Sequence, residues 1–324
     1  MDKQIFYQSN GIPVDSIEKI KSSFYIQENI GESIFNSRFF YTGDSIDYKL
    51  DDICVNLYDV FAQKVFKSVE DYYKYIEHLP VYITKAGLDS DCNLSKEEFQ
   101  RLLNGNFVGD NRNSFLYLCD CQALVNSVQE LLQTCRSNFV FFYKLLCEMD
   151  GLTNFTEDYY AISAEGRIVI STASNLFISL YSIFDILTKL AFELENINNC
   201  DMEYPKLASS KKLYGDRKKL KSFNFTGTVF EKNNIISIVE NLRNELIHNA
   251  AWEMNTKVFF HVENGIVVDK TIYFPDFSED GHLITYVNRK RFFSRGTKLN
   301  DVLPVIYFET LQRIKTTLEK LTQE

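Results

Sequence analysis

No two of the seven cysteines stand as a C-x-x-C pair and none has a histidine at metal-ligand spacing, so the chain is not expected to hold a metal. Cys119 and Cys121 flank a single residue and would diverge on a helix. An odd set without a pairing pattern points to unpaired thiols in a reducing cytoplasm. Histidine is scarce too. Of four, His78, His261 and His282 fall at a helix end, in a hairpin and in a loop, with no ligand spacing among them. A glycine loop to cradle phosphate is missing and so is a serine nucleophile elbow, which removes the chemistries built on them. No cofactor is expected. Nor does an unbroken apolar segment reach membrane length. Met1 to Ile30 interleaves charged with apolar residues, so no signal peptide is expected. Ile168 to Phe184 is uncharged, but it carries six Ser, Thr or Asn residues and runs directly into Asp185. It is shorter than the ~20 residues of a spanning helix and reads as a buried bundle helix, with no membrane partner. Internal repeats and low-complexity stretches are absent.

Basic charge is also short overall. Lys and Arg number 35 against 44 Asp and Glu, a net charge of −9, which argues against a surface generally coated by nucleic acid. The deficit is uneven: residues 1–150 hold 22 acidic and 14 basic groups, whereas 151–324 hold 22 and 21. Two local clusters stand out. Lys206, Lys211, Lys212, Arg217, Lys218, Lys219 and Lys221 surround the single acid Asp216, and Arg289, Lys290, Arg291, Arg295 and Lys298 follow one another with no acid between. Such clusters suit phosphate, although a solvated loop explains either one taken singly. What is abundant is apolar and aromatic material, 45% hydrophobic with 27 Phe and 19 Tyr, enough over 324 residues for two cores.

Periodicity predicts a mainly α protein. Amphipathic helices are expected from Leu57 to His78 and from Ser114 to Met149, the latter with Cys121, Leu124, Val128, Leu131, Cys135, Phe142 and Leu145 on its core side. Asp89 to Phe99 superficially resembles a calcium-binding loop but lacks the central glycine, and a Ser95/Glu98 capping box explains it without metal. Gly151 to Asn154 breaks the chain and suggests a boundary between a mostly helical sensor or regulatory domain, 1–150, and a second domain, 151–324. The second begins with a helix from Glu165 to Asn196 whose Ala173, Phe177, Leu180, Phe184, Leu187, Ala191 and Leu194 alternate steps of four and three, a bundle seam. Beyond Trp252 the period becomes two. Val258 to Glu263, the turn Asn264-Gly265 and Ile266 to Phe274 read as a hairpin, Leu283 to Val287 as a third strand, and Asp301 to Leu321 as a last helix with Pro304 in its first turn.

Between these lies the helix predicted for Asn233 to Glu253. Ile235, Val239, Leu242, Leu246 and Ala250 form its core face, and Ser237, Asn241, Asn244 and His248 a polar stripe on the opposite side. Arg243 starts about 100° round from Asn244 and needs an anionic partner if it is desolvated. Histidine near neutrality suits a proton donor or acceptor, and the arginine fork suits a phosphate whose charge is building. Together they offer what RNA cleavage by its own 2′-OH requires. The plainer alternative has Arg243 paired with Glu240 and His248 capping the helix end.

Arg243-Asn244 followed by His248 resembles the R-N-x-x-x-H signature of the HEPN superfamily of nucleic-acid-associated helical domains. The resemblance covers six residues. It implies a helical bundle with the motif on a late helix, and a metal-independent endoribonuclease in which Arg243, Asn244 and His248 from two protomers form one cleft. It also implies an acidic or polar residue on the preceding helix paired with the arginine, for which Asp185 is the candidate. RNA would be held by Lys211, Lys212, Arg217, Lys218, Lys219, Lys221, Arg289, Lys290 and Arg291. Partners implied are RNA, a second copy of the chain, and an antitoxin or phage-derived trigger, as in toxin and antiphage systems. The inserted hairpin after the motif helix departs from the family, and a fourth bundle helix must come from Ser114 to Met149 or from a short helix near Lys206 to Leu213. A non-catalytic HEPN-like module that binds RNA or a protein is the second expectation, and a purely structural helical adaptor the third.

Overall fold

The computed structural model describes residues 3–31, 37–66, 68–77, 95–104, 111–152, 155–197, 204–253 and 255–323. The protein is mainly α with small antiparallel sheets. Two compact units interleave along the chain: Met1–Ser45, Thr134–Tyr181 and Lys232–Leu311 form the first, and Ile46–Gln133, Ser182–Glu231 and Gln312–Glu324 the second. The division expected near Gly151 falls inside the first unit.

The first unit opens with strands, where a mostly helical region was expected. β1 (Lys3–Gln8), β2 (Pro13–Val14), β3 (Tyr25–Ile30) and β4 (Arg38–Phe40) make a four-stranded antiparallel sheet in the order β2-β1-β3-β4. Phe6, Tyr7 and Ile26 are buried, and so is Glu28. A buried carboxylate survives only with partners. Tyr7 donates its hydroxyl to Glu28, and Lys144 Nζ lies 2.9 Å from Glu28 Oε1.

A second sheet contains the expected hairpin, β6 (Val258–Glu263) and β7 (Ile266–Thr271). Asn264 and Gly265 both take positive φ, 52° and 77°, as a tight two-residue turn demands. Its third strand is β5 (Tyr159–Ala161), which pairs with β6; the segment predicted for that place instead folds back on itself as β8 (Thr285–Tyr286) and β9 (Arg289–Lys290). Asp158, just before β5, accepts the Val262 backbone N–H at 2.9 Å and lies 2.8 Å from His261 Nδ1. Through that hydrogen bond Asp158 holds the His261 pKa above its ordinary 6.5. A raised pKa means the contact contributes fully below the ordinary value and is lost as pH rises through the raised one. Titration of the His261 ring by NMR should therefore show a midpoint above 6.5 that falls back in Asp158→Asn. An unchanged midpoint would refute the pairing.

The helices come from both halves of the sequence. α1 (Asp44–Phe66) and α2 (Val69–Ile76) replace the single predicted helix; Ser68 divides them, its hydroxyl accepting the Asp71 N–H. α3 (Lys96–Asn104) starts in the predicted capping box, Ser95 N–H to Glu98 Oε2 at 2.9 Å and Glu98 N–H to Ser95 Oγ at 3.2 Å. The acidic run Asp89 to Asn93 and His78 lie outside the described residues. α4 (Arg112–Glu148) gives its C-terminal part to the first unit, where its end is capped by a buried lysine. Lys270 Nζ donates to the carbonyls of Leu146, Cys147 and Met149, at 3.2, 2.7 and 2.5 Å.

α5 (Ala164–Glu195) is long and apolar enough to cross a membrane, yet all seven predicted seam residues from Ala173 to Leu194 are buried in the protein. α7 (Leu299–Leu321) likewise buries Tyr307, Leu311, Ile314, Leu318 and Leu321. It starts two residues earlier than predicted, so Pro304 lies beyond the first turn and cannot donate to the Asn300 carbonyl one turn back. Tyr143 fills the gap, its hydroxyl donating to Asn300 O at 2.8 Å.

The second unit is helical. Leu57, Phe61, Tyr117, Cys121, Val128, Leu187 and Leu318 are among its buried side chains. Glu193 is fully buried and accepts from Tyr117 Oη at 2.8 Å and the Ser209 N–H at 2.6 Å. The Lys206 to Leu213 stretch holds turns, and a 3-10 segment, Tyr214–Lys219, follows it. Cys54, Cys121, Cys135 and Cys147 are buried and in no disulfide among the described residues, with burial pushing the Cys147 thiol up to about 12; Cys92 and Cys200 lie outside the described residues.

Candidate functional site

α6 (Asn234–Asn249) carries the motif and belongs to the first unit. Asn233 caps it, the side chain accepting the Ile235 and Ile236 N–H groups at 2.8 and 3.4 Å. The helix stops short of the predicted Glu253 because Ala250 turns left-handed, with φ 66°. Its buried face is also rotated from the predicted one. Ile236, Val239, Leu242 and Glu245 are buried, whereas Ile235 and Leu246 are half-buried and Ala250 is exposed. Steps of three carry the face one residue back at each turn and draw Glu245 inward. The Glu245 side chain, 9% exposed, accepts from Asn249 Nδ2 at 2.8 Å and lies 3.6 Å from Arg291 Nη1.

That rotation leaves the motif residues at the margin of the core. Arg243 is half-buried, its guanidinium 4.7 Å from the centre of the Tyr181 ring, and its Nη1 donates to Asn244 Oδ1 at 3.1 Å. A ring face and a neutral amide orient the fork without neutralising it. His248 is exposed in the last turn, one turn beyond Asn244 and on the same side. Asp185, the acid predicted to serve Arg243, belongs to the second unit; there it accepts the Tyr214 backbone N–H at 2.6 Å, at the start of the 3-10 segment.

The polar stripe gains a residue that spacing did not reveal. Asn241 Nδ2 donates to Ser237 O at 2.7 Å and to Gly281 O at 3.2 Å, and lies 3.2 Å from His282 Nδ1. Gly281 makes the approach possible: its φ of 80° is left-handed, and a Cβ there would collide with the Asn234 carbonyl. Nothing in the periodicity around His282 marks it, because a loop brings it to the helix.

The two basic clusters belong to different units. In the second unit, Lys212 and Arg217 lie over the rings of Phe192 and Tyr214, Lys219 pairs with Asp216, and Lys211, Lys218 and Lys221 are exposed. In the first, Arg291 is engaged with Glu245 and donates to Ala251 O at 2.6 Å, while Arg289 and Lys290 are exposed on β9. Arg295 lies over the Phe259 ring, and Lys298 pairs with Asp269. Set against protein-family models, curated proteins and solved structures, the chain matches none of them.

Proposed function

We propose that the chain is a HEPN-like endoribonuclease of the cytoplasm, a toxin or antiphage effector that cuts RNA without a metal. The observation that carries the reading is the motif helix itself, with Arg243 set on Tyr181 and Asn244 and with His248 exposed one turn further on the same side. In the reaction a base removes the ribose 2′-OH proton and the oxygen attacks the adjacent phosphorus. The bond to the 5′-oxygen breaks as an acid protonates it, leaving a 2′,3′-cyclic phosphate and a 5′-hydroxyl. Arg243 takes the charge that builds on the phosphoryl oxygens, and Asn244 holds the Arg243 fork in place. His248 transfers one proton. In the favoured arrangement a second copy of the chain supplies the other histidine in a two-fold dimer.

A second reading of that last step comes from the Asn241–His282 contact, which sets a second histidine beside the same stripe. Dilution separates the two. In the dimer, specific activity falls below the dissociation constant, and mixed Arg243→Ala and His248→Ala subunits regain part of it. With His282 as the second group, activity per chain ignores dilution and His282→Ala removes it. The function as a whole is tested by RNA cleavage in EDTA. Salt-dependent RNA binding with no cleavage would instead assign a non-catalytic module.

A further inference from the structure

Past the end of α6 the chain encloses a cleft of about 800 Å³, within the range of small-ligand sites. One wall is the helix end, with Glu245, Asn249 and Trp252; another is the β8–β9 hairpin with its C-terminal flank, Asn288 to Arg291 and Phe293. Its carboxylates are already engaged. Glu245 is held by Asn249 and Arg291, and Glu253 pairs with Lys257 at 3.0 Å. Among the described residues, no carboxylate pairs with Arg289 or Lys290, so the uncompensated charge facing a ligand is positive. Three amides, Asn249, Asn255 and Asn288, also line the space, and each offers a donor and an acceptor. Trp252 is 2% exposed, and its buried indole N–H has no hydrogen-bond partner among the described residues. An orphaned buried donor is costly and rare in a finished structure. The hairpin tip is strained as well: Val287, a β-branched residue, takes a φ of 54° and is 81% exposed.

We infer that this cleft is a subsite for one nucleotide of single-stranded RNA. The amides suit the mixed donor and acceptor edge of a base, and Arg289 and Lys290 suit the flanking phosphates. An acidic peptide is the competing occupant, since its carboxylates and peptide groups also match these side chains, and the titration below separates the two. The inference rests on the ribonuclease reading, because Asn249 directly follows His248 and so places the cleft next to the scissile position.

Trp252 is the only tryptophan of the chain, so its fluorescence reports on this cleft alone. His248→Ala protein in EDTA would be titrated with pentauridylate, pentaadenylate and an acidic pentapeptide, following Trp252 emission together with the anisotropy of labelled oligonucleotide. A saturable emission change with RNA is expected, weakened about tenfold in Arg289→Ala/Lys290→Ala and by raised salt. Both exchanged side chains are exposed, and circular dichroism verifies the fold. Emission unchanged by saturating RNA, or a response to the peptide alone, overturns the subsite, and wild-type cleavage then still stands. Saturable, variant-sensitive emission in a protein whose wild type leaves RNA intact upholds the subsite and removes the ribonuclease.

Discussion

His248→Ala protein is expected to fold like wild type and to cut RNA at least ~10²-fold more slowly. His248 is exposed in the last turn of α6, so the unfolding free energy should move by no more than ~0.5 kcal/mol. Arg243→Ala should lose a similar factor in rate, plus about 1 kcal/mol of stability for the Tyr181 contact. Arg243→Lys should not restore activity, because an ammonium keeps the charge but loses the planar fork. Initial rates with thermal unfolding on the same preparations separate catalysis from folding. A folded His248→Ala protein with full activity would end the account of the site.

The largest effect on stability is expected at Asn300, for which Asn300→Ala should cost about 3–5 kcal/mol in denaturant unfolding. Asn300 is fully buried at the start of α7, and its side chain ties the N-terminal segment and the end of β7 to that helix within the first unit. Nδ2 donates to Ser9 O at 2.6 Å and Lys270 O at 3.0 Å, and Oδ1 accepts the Ile272 N–H at 3.2 Å. Alanine leaves all three backbone groups buried and unpaired, and the small cavity adds to the penalty. Tyr143→Phe should cost less, about 1–3 kcal/mol, since it orphans only the Asn300 carbonyl that Pro304 cannot serve. Wild-type stability in Asn300→Ala would contradict the network.

The seams of α5 and α7 were legible because every core position keeps the three-four rhythm and none is charged. The N-terminal sheet was hidden. At β3 the inward positions are Ile26 and Glu28, and the carboxylate is tolerated because Tyr7 donates to it and Lys144 reaches it from 116 residues away. On α6 the motif and the buried Val239 and Leu242 could be read, but the rest of the buried face could not: Glu245 turns inward toward Arg291, a partner that no local pattern announces. Ala250 ends the helix in a left-handed conformation usually marked by glycine, so the stop left no trace in the sequence. His282 and the Trp252 cleft are products of loop placement, which periodicity does not encode.

The central claim is tested most directly by incubating wild-type and His248→Ala protein with mixed RNA in EDTA and determining the new ends. The account predicts wild-type fragments with 2′,3′-cyclic phosphate and 5′-hydroxyl ends, and intact RNA with the variant. Intact RNA with both proteins, or the same fragments from both, would contradict it.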